Sequence, residues 1–249
     1  MPHRGQAQKD FQRVLFYPLG DAAIVLQFGD AIDRHTHLAI LAFTAALEQH
    51  PFAGFREFVP AFTTVTVYYD PWVVSDKGQQ DPYACVMERL QQVLHQVKVH
   101  PEKTRTKLVE IPVCYGGKWG PDLELVAALN EITPEEVIRL HAGEEYLVYM
   151  IGFAPGFPYL GGMNDRIAAA RKDKPRAKVL AGSVGIAGKQ TGIYPIASPG
   201  GWQLIGRTPL VLFDPRRQPP SLLQAGDHIR FVPITEKEYE LRKEEAHGA

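Results

Sequence analysis

Eleven of the 22 glycines in this 249-residue chain lie between Gly152 and Gly206, interspersed with prolines. Each glycine costs a helix about 1 kcal/mol relative to alanine, and an interior proline breaks it. The helical period accordingly disappears beyond Tyr146. The short apolar runs, SVGIAG, WQLIG and PLVLF with YLVYMIGF just before them, are separated by turn residues. This texture predicts a small β-barrel or sandwich.

Within it, GSVGIAGKQTG (Gly182–Gly192) invites comparison with a phosphate-binding loop. G-x-x-x-x-G-K-[ST] turns its N–H groups inward and places a hydroxyl on magnesium. Counted back from Gly188-Lys189, the first glycine position is Ser183, and Gln190 holds the hydroxyl slot. The following TGIYPIASPGG cannot open the helix that a phosphate needs. The loop is not Walker A. Val184 and Ile186 alternate with Ser183 and Gly185, so one face is apolar and the other nearly bare. Such a face admits a backbone or ligand, or it marks a barrel corner that needs curvature.

The first half has a different texture. FQRVLFYP and AAIVLQF read as strands. Asp33 caps a helix through HTHLAILAFTAALEQH that Pro51 stops. FREFVP and TTVTVYYD follow as strands. Asp81-Pro82 opens a helix whose Val86, Leu90, Val93, Leu94 and Val97 share one face. TKLVEIPV is a further strand. With the extra N-terminal strand set aside, the order is βαββαβ, so the fold class expected is α+β with a ferredoxin-like first domain. The charged KVHPEKTRTK marks the boundary, giving domains 1–104 and 105–249. The second domain opens with two short helices, one led by Pro121-Asp122 and one by the capping box Thr133-Pro134-Glu135-Glu136. TEKEYELRKEEA reads as a solvated terminal helix.

Charge excludes some functions. Twenty-seven basic against 28 acidic residues supply no one-signed field for nucleic acid or an acidic membrane. MPHRGQAQKD lacks the apolar core of a secretory signal, and no apolar run spans a bilayer. Cys85 and Cys114 form no CxxC motif, which is the usage of a cytoplasmic protein. His35 and His37 lie on different helix faces, so no metal motif is present.

Longer blocks are more specific. GFAPGFPYLGG (Gly152–Gly162), AGSVGIAGKQTGIYPIASPGGWQLIGRTP (Ala181–Pro209) and LLQAGDHIRFVPI (Leu222–Ile234) closely resemble the allophanate-hydrolase-subunit-1 family. GDAAIVLQFGDAID, FVPAFTTVTVYYDP and IPVCYGGKWGPDL extend the resemblance over nearly the whole chain. The family includes Kip-type inhibitors of sporulation histidine kinases and the B subunit of bacterial ATP-dependent 5-oxoprolinase. The resemblance implies a cyclophilin-like barrel after the ferredoxin-like domain. It further implies work with 5-oxoprolinase subunits A and C to open 5-oxoproline to glutamate, with ATP used at the level of the complex. Inhibition of a sensor histidine kinase is the alternative implied, and half of a urea-directed carboxyltransferase a further one. One block departs from the family pattern: the first of two Pro-Arg pairs is Ala170-Arg171, and Leu180 replaces a proline, while Pro175-Arg176 is intact.

Lactam opening needs donors for a developing oxyanion, cations for phosphate and accessible backbone. Arg176, Ser183, Gln190 and His141 are the catalytic candidates, although Ser183 has no nearby histidine base and His141 also reads as a helix-terminal cation. Phe153, Pro155, Phe157, Tyr159, Arg171, Gly182, Thr191, Tyr194, Pro195, Pro199, Gly200 and Trp202 are the pocket candidates. Lys189 reads as a surface residue. Phe153, Phe157 and Tyr159 form an apolar lip suited to a protein partner.

Overall fold

The computed structural model describes residues 14–97 and 107–248. The chain divides into two compact units, Met1–Arg105 and Thr106–Ala249. The expected boundary segment lies almost wholly outside the described residues, as do the N-terminal decapeptide and the start of the first strand.

Unit one runs β1 (Leu15–Pro18), β2 (Ala23–Gln27), α1 (Arg34–Gln49), β3 (Phe55–Pro60), β4 (Thr64–Tyr69), α2 (Pro71–Val74) and α3 (Pro82–Gln96). Local chemistry sets the helix starts. The Asp33 carboxylate accepts from the Thr36 N–H, and Asp81 accepts from the Tyr83 N–H with Pro82 in the first turn. The strands form one antiparallel sheet in the order β1-β2-β4-β3. Ile24, Leu26, Val65 and Val67 meet Ile40, Phe43 and Leu47 of α1 and Val86, Leu90 and Leu94 of α3 in a single core.

Unit two runs β5 (Leu108–Tyr115), α4 (Leu123–Leu129), α5 (Pro134–Ala142), β6 (Glu145–Ile151), β7 (Pro158–Gly161), β8 (Arg176–Val179), β9 (Ser183–Ala187), β10 (Gln190–Ile193), β11 (Ser198–Gly200), β12 (Gln203–Arg207), β13 (His228–Pro233) and α6 (Glu236–Gly248). Seven strands close a barrel in the order β10-β7-β6-β13-β5-β12-β9, while β8 and β11 pair as a separate ribbon. Ile111, Val113, Val148, Val184, Ile186, Ile205, Ile229 and Phe231 fill the barrel; Val126 of α4 and Val137 of α5 belong to the same core. The fold is thus α+β with a closed barrel.

One strand lies elsewhere than its sequence order suggests. TKLVEIPV, expected to complete the βαββαβ sheet of unit one, instead forms β5 of the barrel, which pairs in parallel with β13 and antiparallel with β12. Buried Val109, Ile111, Val113 and Cys114 give it more apolar surface than an edge strand would cover, and a closed barrel pairs both of its edges. Among the described residues, unit one therefore has four strands, without that closing strand. The terminal helix also differs from expectation: Tyr239 of α6 is buried, with its ring 4.1 Å from that of Trp119, and Glu236 pairs with Lys118. No helix among the described residues is long and apolar enough to cross a membrane.

Candidate functional site

The bare face of β9 is filled by an indole. Gly185 and Gly192 lie opposite each other across the β9–β10 pair. A Cβ on Gly192 would stand 3.0 Å from both Phe157 and Trp202, and one on Gly185 would stand 3.1 Å from the Cβ of Trp202. The glycines thus make room for a buried box of rings. Trp202 stands edge-on to Phe157 at 5.6 Å and to Tyr194 at 6.3 Å, the T-shaped geometry that aromatic quadrupoles favour. Gly200 makes room for the Tyr194 hydroxyl, 2.4 Å from where a Cβ would sit. Burial raises the Tyr194 phenol, so it is a neutral hydrogen-bonding group.

Over this box lies a cavity of about 410 Å³, lined by Phe153, Phe157, Tyr159, Tyr194 and Trp202, by Arg171, Lys172 and Pro175, and by Pro199, Gly200 and Gly201. None of these is a carboxylate, histidine, serine or cysteine. Phe153 stands at the turn with φ +67° and is 71% exposed. A bulky residue with positive φ is strained, and such strain concentrates at ligand clamps.

A buried carboxylate organises the cationic wall. Asp122 occupies the N-cap position of α4, yet its side chain makes no capping bond. Oδ1 accepts from Arg176 at 2.8 Å and Lys172 at 3.1 Å, and Oδ2 accepts from the Leu204 N–H at 2.7 Å. Burial pushes this carboxyl up, but the bonds from Arg176, Leu204 and Lys172 outweigh burial and hold it below the ordinary range. The Lys172 N–H also bonds the Gly201 carbonyl, closing the segment onto the cavity edge. Arg171 follows a different course: its guanidinium carbon lies 5.9 Å over the Trp202 ring, at the outer limit of cation–π contact.

His141 lies in the barrel core and not at the cavity. It is fully buried, and burial holds its pKa down at about 3. Thr191 Oγ1 donates to the Gly185 carbonyl, so it accepts from His141 Nε2–H at 2.9 Å, and Nδ1 accepts from the Tyr115 hydroxyl at 2.8 Å. This satisfied neutral chain tethers α5 to β5 and β10.

Residues 14–223 match the model for the carboxyltransferase domain, subdomain C and D. The chain belongs to this family. It is 52% identical to the B subunit of 5-oxoprolinase from Bacillus subtilis over 92% of its length and 96% of that protein's. To the B subunit of 5-oxoprolinase from Escherichia coli O157:H7 it is 40% identical over 90% and 98%. These matches agree with the resemblance carried by the glycine- and proline-anchored blocks. Among solved structures, that of TTHA0988 superposes with a TM-score of 0.73 at 36% identity over 85% of this chain, which spans 40% of that one. The urea amidolyase of K. lactis shares the fold at 22% identity and TM-score 0.73; the chain spans 15% of it.

For this member of the carboxyltransferase-domain family, eight of the expected pocket residues line the cavity: Phe153, Phe157, Tyr159, Arg171, Tyr194, Pro199, Gly200 and Trp202. Pro155, Gly182, Thr191 and Pro195 do not. Gly182, with φ +82°, closes a backbone turn against Thr208, and Thr191 belongs to the histidine chain. Of the catalytic candidates, Arg176 stands behind the wall with its guanidinium on Asp122; Ser183 is buried in β9. Gln190 follows the Gly188-Lys189 hairpin turn, where Gly188 has φ +60° and Lys189 pairs with Asp165 at 2.8 Å. The loop does not fit a nucleotide triphosphate: β10 follows it in place of a helix, and the Gly188 N–H bonds the Ala169 carbonyl. Sequence reading missed Asp122, Lys172, Pro175 and Gly201. The RKDKPR cluster was the signal for Lys172, but Asp122 had none beyond its place in a helix start.

Proposed function

We propose that this chain is the B subunit of an ATP-dependent 5-oxoprolinase. It acts in the cytoplasm with subunits A and C to open 5-oxo-L-proline to L-glutamate, and its barrel is of the cyclophilin-like type. The 52% identity over nearly the full length of both chains carries the reading. The cavity supports it: aromatic walls and cations suit a small flat anion, while a lining without carboxylate, histidine, serine or cysteine suits a subunit that holds a substrate for groups supplied by a partner. A lactam is an unactivated amide, so its carbonyl must be polarised or phosphorylated before attack. The Gly-Lys turn does not fit a triphosphate, so the ATP reading rests on the family and stays at the level of the complex.

Kinase inhibition is the weaker reading, because the apolar lip contracts to Phe153: Phe157 is buried and Tyr159 partly so. The urea-directed reading rests on relatives such as the Lachancea kluyveri urea amidolyase, 23% identical, of which the chain covers 14%. With 5-oxoproline and ATP, the isolated chain is expected to form no glutamate until the A and C subunits are added. Glutamate formation by A and C alone at the full rate would sink the proposal.

A further inference from the structure

We propose that the cavity beside Trp202 is a carboxylate subsite, taking a small flat ring that bears one carboxylate, with Arg171 on the carboxylate and the ring against the aromatic box. The cations here divide into two kinds. Lys172 and Arg176 spend donors on the same Asp122 oxygen, which fixes Lys172 in the wall and Arg176 behind it. Among the described residues, no hydrogen bond or ion pair engages Arg171, which is exposed and stands over Trp202 at the cavity lining. Its planar fork matches a carboxylate in two-point contact. Three cations and one carboxylate leave the cluster positive, and no acidic side chain lines the cavity to repel an anion. Trp202 and Tyr194 present flat apolar surface with little rotamer freedom to lose. About 410 Å³ leaves space beside a five-membered ring for atoms from a partner.

The inference rests on the 5-oxoprolinase reading for its choice of probe, and the two are tested separately. Binding to the full-length chain alone is measured by calorimetry and by Trp fluorescence for 5-oxo-L-proline and for 2-pyrrolidinone, the same lactam without the carboxylate. The expected result is saturable binding of 5-oxoproline, at least about 10-fold tighter than of 2-pyrrolidinone, as one charge-assisted pair supplies. Arg171→Ala should weaken it about 10- to 100-fold, and Arg171→Lys should restore part of the loss. Lys178→Ala, an exposed cation on β8 away from the cavity lining, should leave it within about 2-fold. Trp202→Phe should abolish the fluorescence response.

Equal binding of both lactams, no saturable binding of 5-oxoproline, or an unchanged Arg171→Ala variant would each overturn the subsite. If binding depends on Arg171 while the A and C subunits turn over fully without this chain, the 5-oxoprolinase reading fails and the subsite stands. If the complex requires this chain but Arg171→Ala leaves its KM unchanged, the subsite alone fails.

Discussion

Replacing Asp122 with alanine removes three hydrogen bonds at once and leaves the buried Leu204 N–H without a side-chain acceptor. An orphaned buried donor costs about 1–3 kcal/mol. Breaking a fully buried ion pair costs about 3–5 kcal/mol, but the side chains of Lys172 and Arg176 are 28% and 26% exposed and partly rehydrate. The net expectation for Asp122→Ala is a loss of about 2–4 kcal/mol. Asp122→Asn keeps an oxygen for Leu204 and loses the charge, so about 1–2 kcal/mol is expected. Urea unfolding at pH 7, followed by Trp fluorescence, reads both values from the midpoint shift. The pH dependence gives a second check. Because the folded-state pKa lies below the ordinary 3.8, the charge-linked stability is fully present above that value and is lost as pH falls through the lower folded pKa. The gap between wild type and Asp122→Asn should therefore persist down to about pH 4 and close only below it. An Asp122→Ala variant within about 0.5 kcal/mol of wild type at pH 7, or a gap that closes above about pH 5, would refute the carboxylate's role.

Further tests address other parts of the account. Gly192→Ala places a Cβ 3.0 Å from Phe157 and Trp202; a loss of about 1–3 kcal/mol and altered Trp fluorescence are expected, and unchanged stability would contradict the packed-box reading. His141, held neutral with a pKa of about 3, takes up its proton in the unfolded state first, so its contribution to stability rises with pH from about 3 to about 6.5. Imidazole NMR shifts should show a neutral Nε2–H tautomer at about pH 5; a midpoint near 6.5 would refute this. Lys189→Ala breaks only an exposed pair with Asp165 and should change stability by less than about 0.5 kcal/mol. ATP turnover by the complex should be unaffected; its loss would reopen the phosphate-loop question.

Features written within one turn were legible in the sequence. Asp33, Asp81 and Thr133 each cap the helix that follows, since cap chemistry reaches only three residues. At Thr133 the Glu136 carboxylate turns to Arg139 and does not close the expected box. Aromatic and glycine candidates converged on the cavity because their long blocks carried a family pattern. Asp122 escaped notice because its partners lie 50, 54 and 82 residues away, and no local pattern records such pairing. His141 misled for the same reason: at a helix terminus it reads as a surface cation, whereas Tyr115 and Thr191, 26 and 50 residues distant, bury it as a neutral link. For β5, alternation shows a strand but not which of two sheets claims it.

Titrating this chain into purified A and C subunits with 5-oxo-L-proline and ATP, while following glutamate and ADP, addresses the assignment to the 5-oxoprolinase complex most directly. The expected result is a rate near zero without the chain, rising to saturation at a fixed molar ratio, with glutamate and ADP formed together. Full-rate glutamate formation by A and C alone would contradict it.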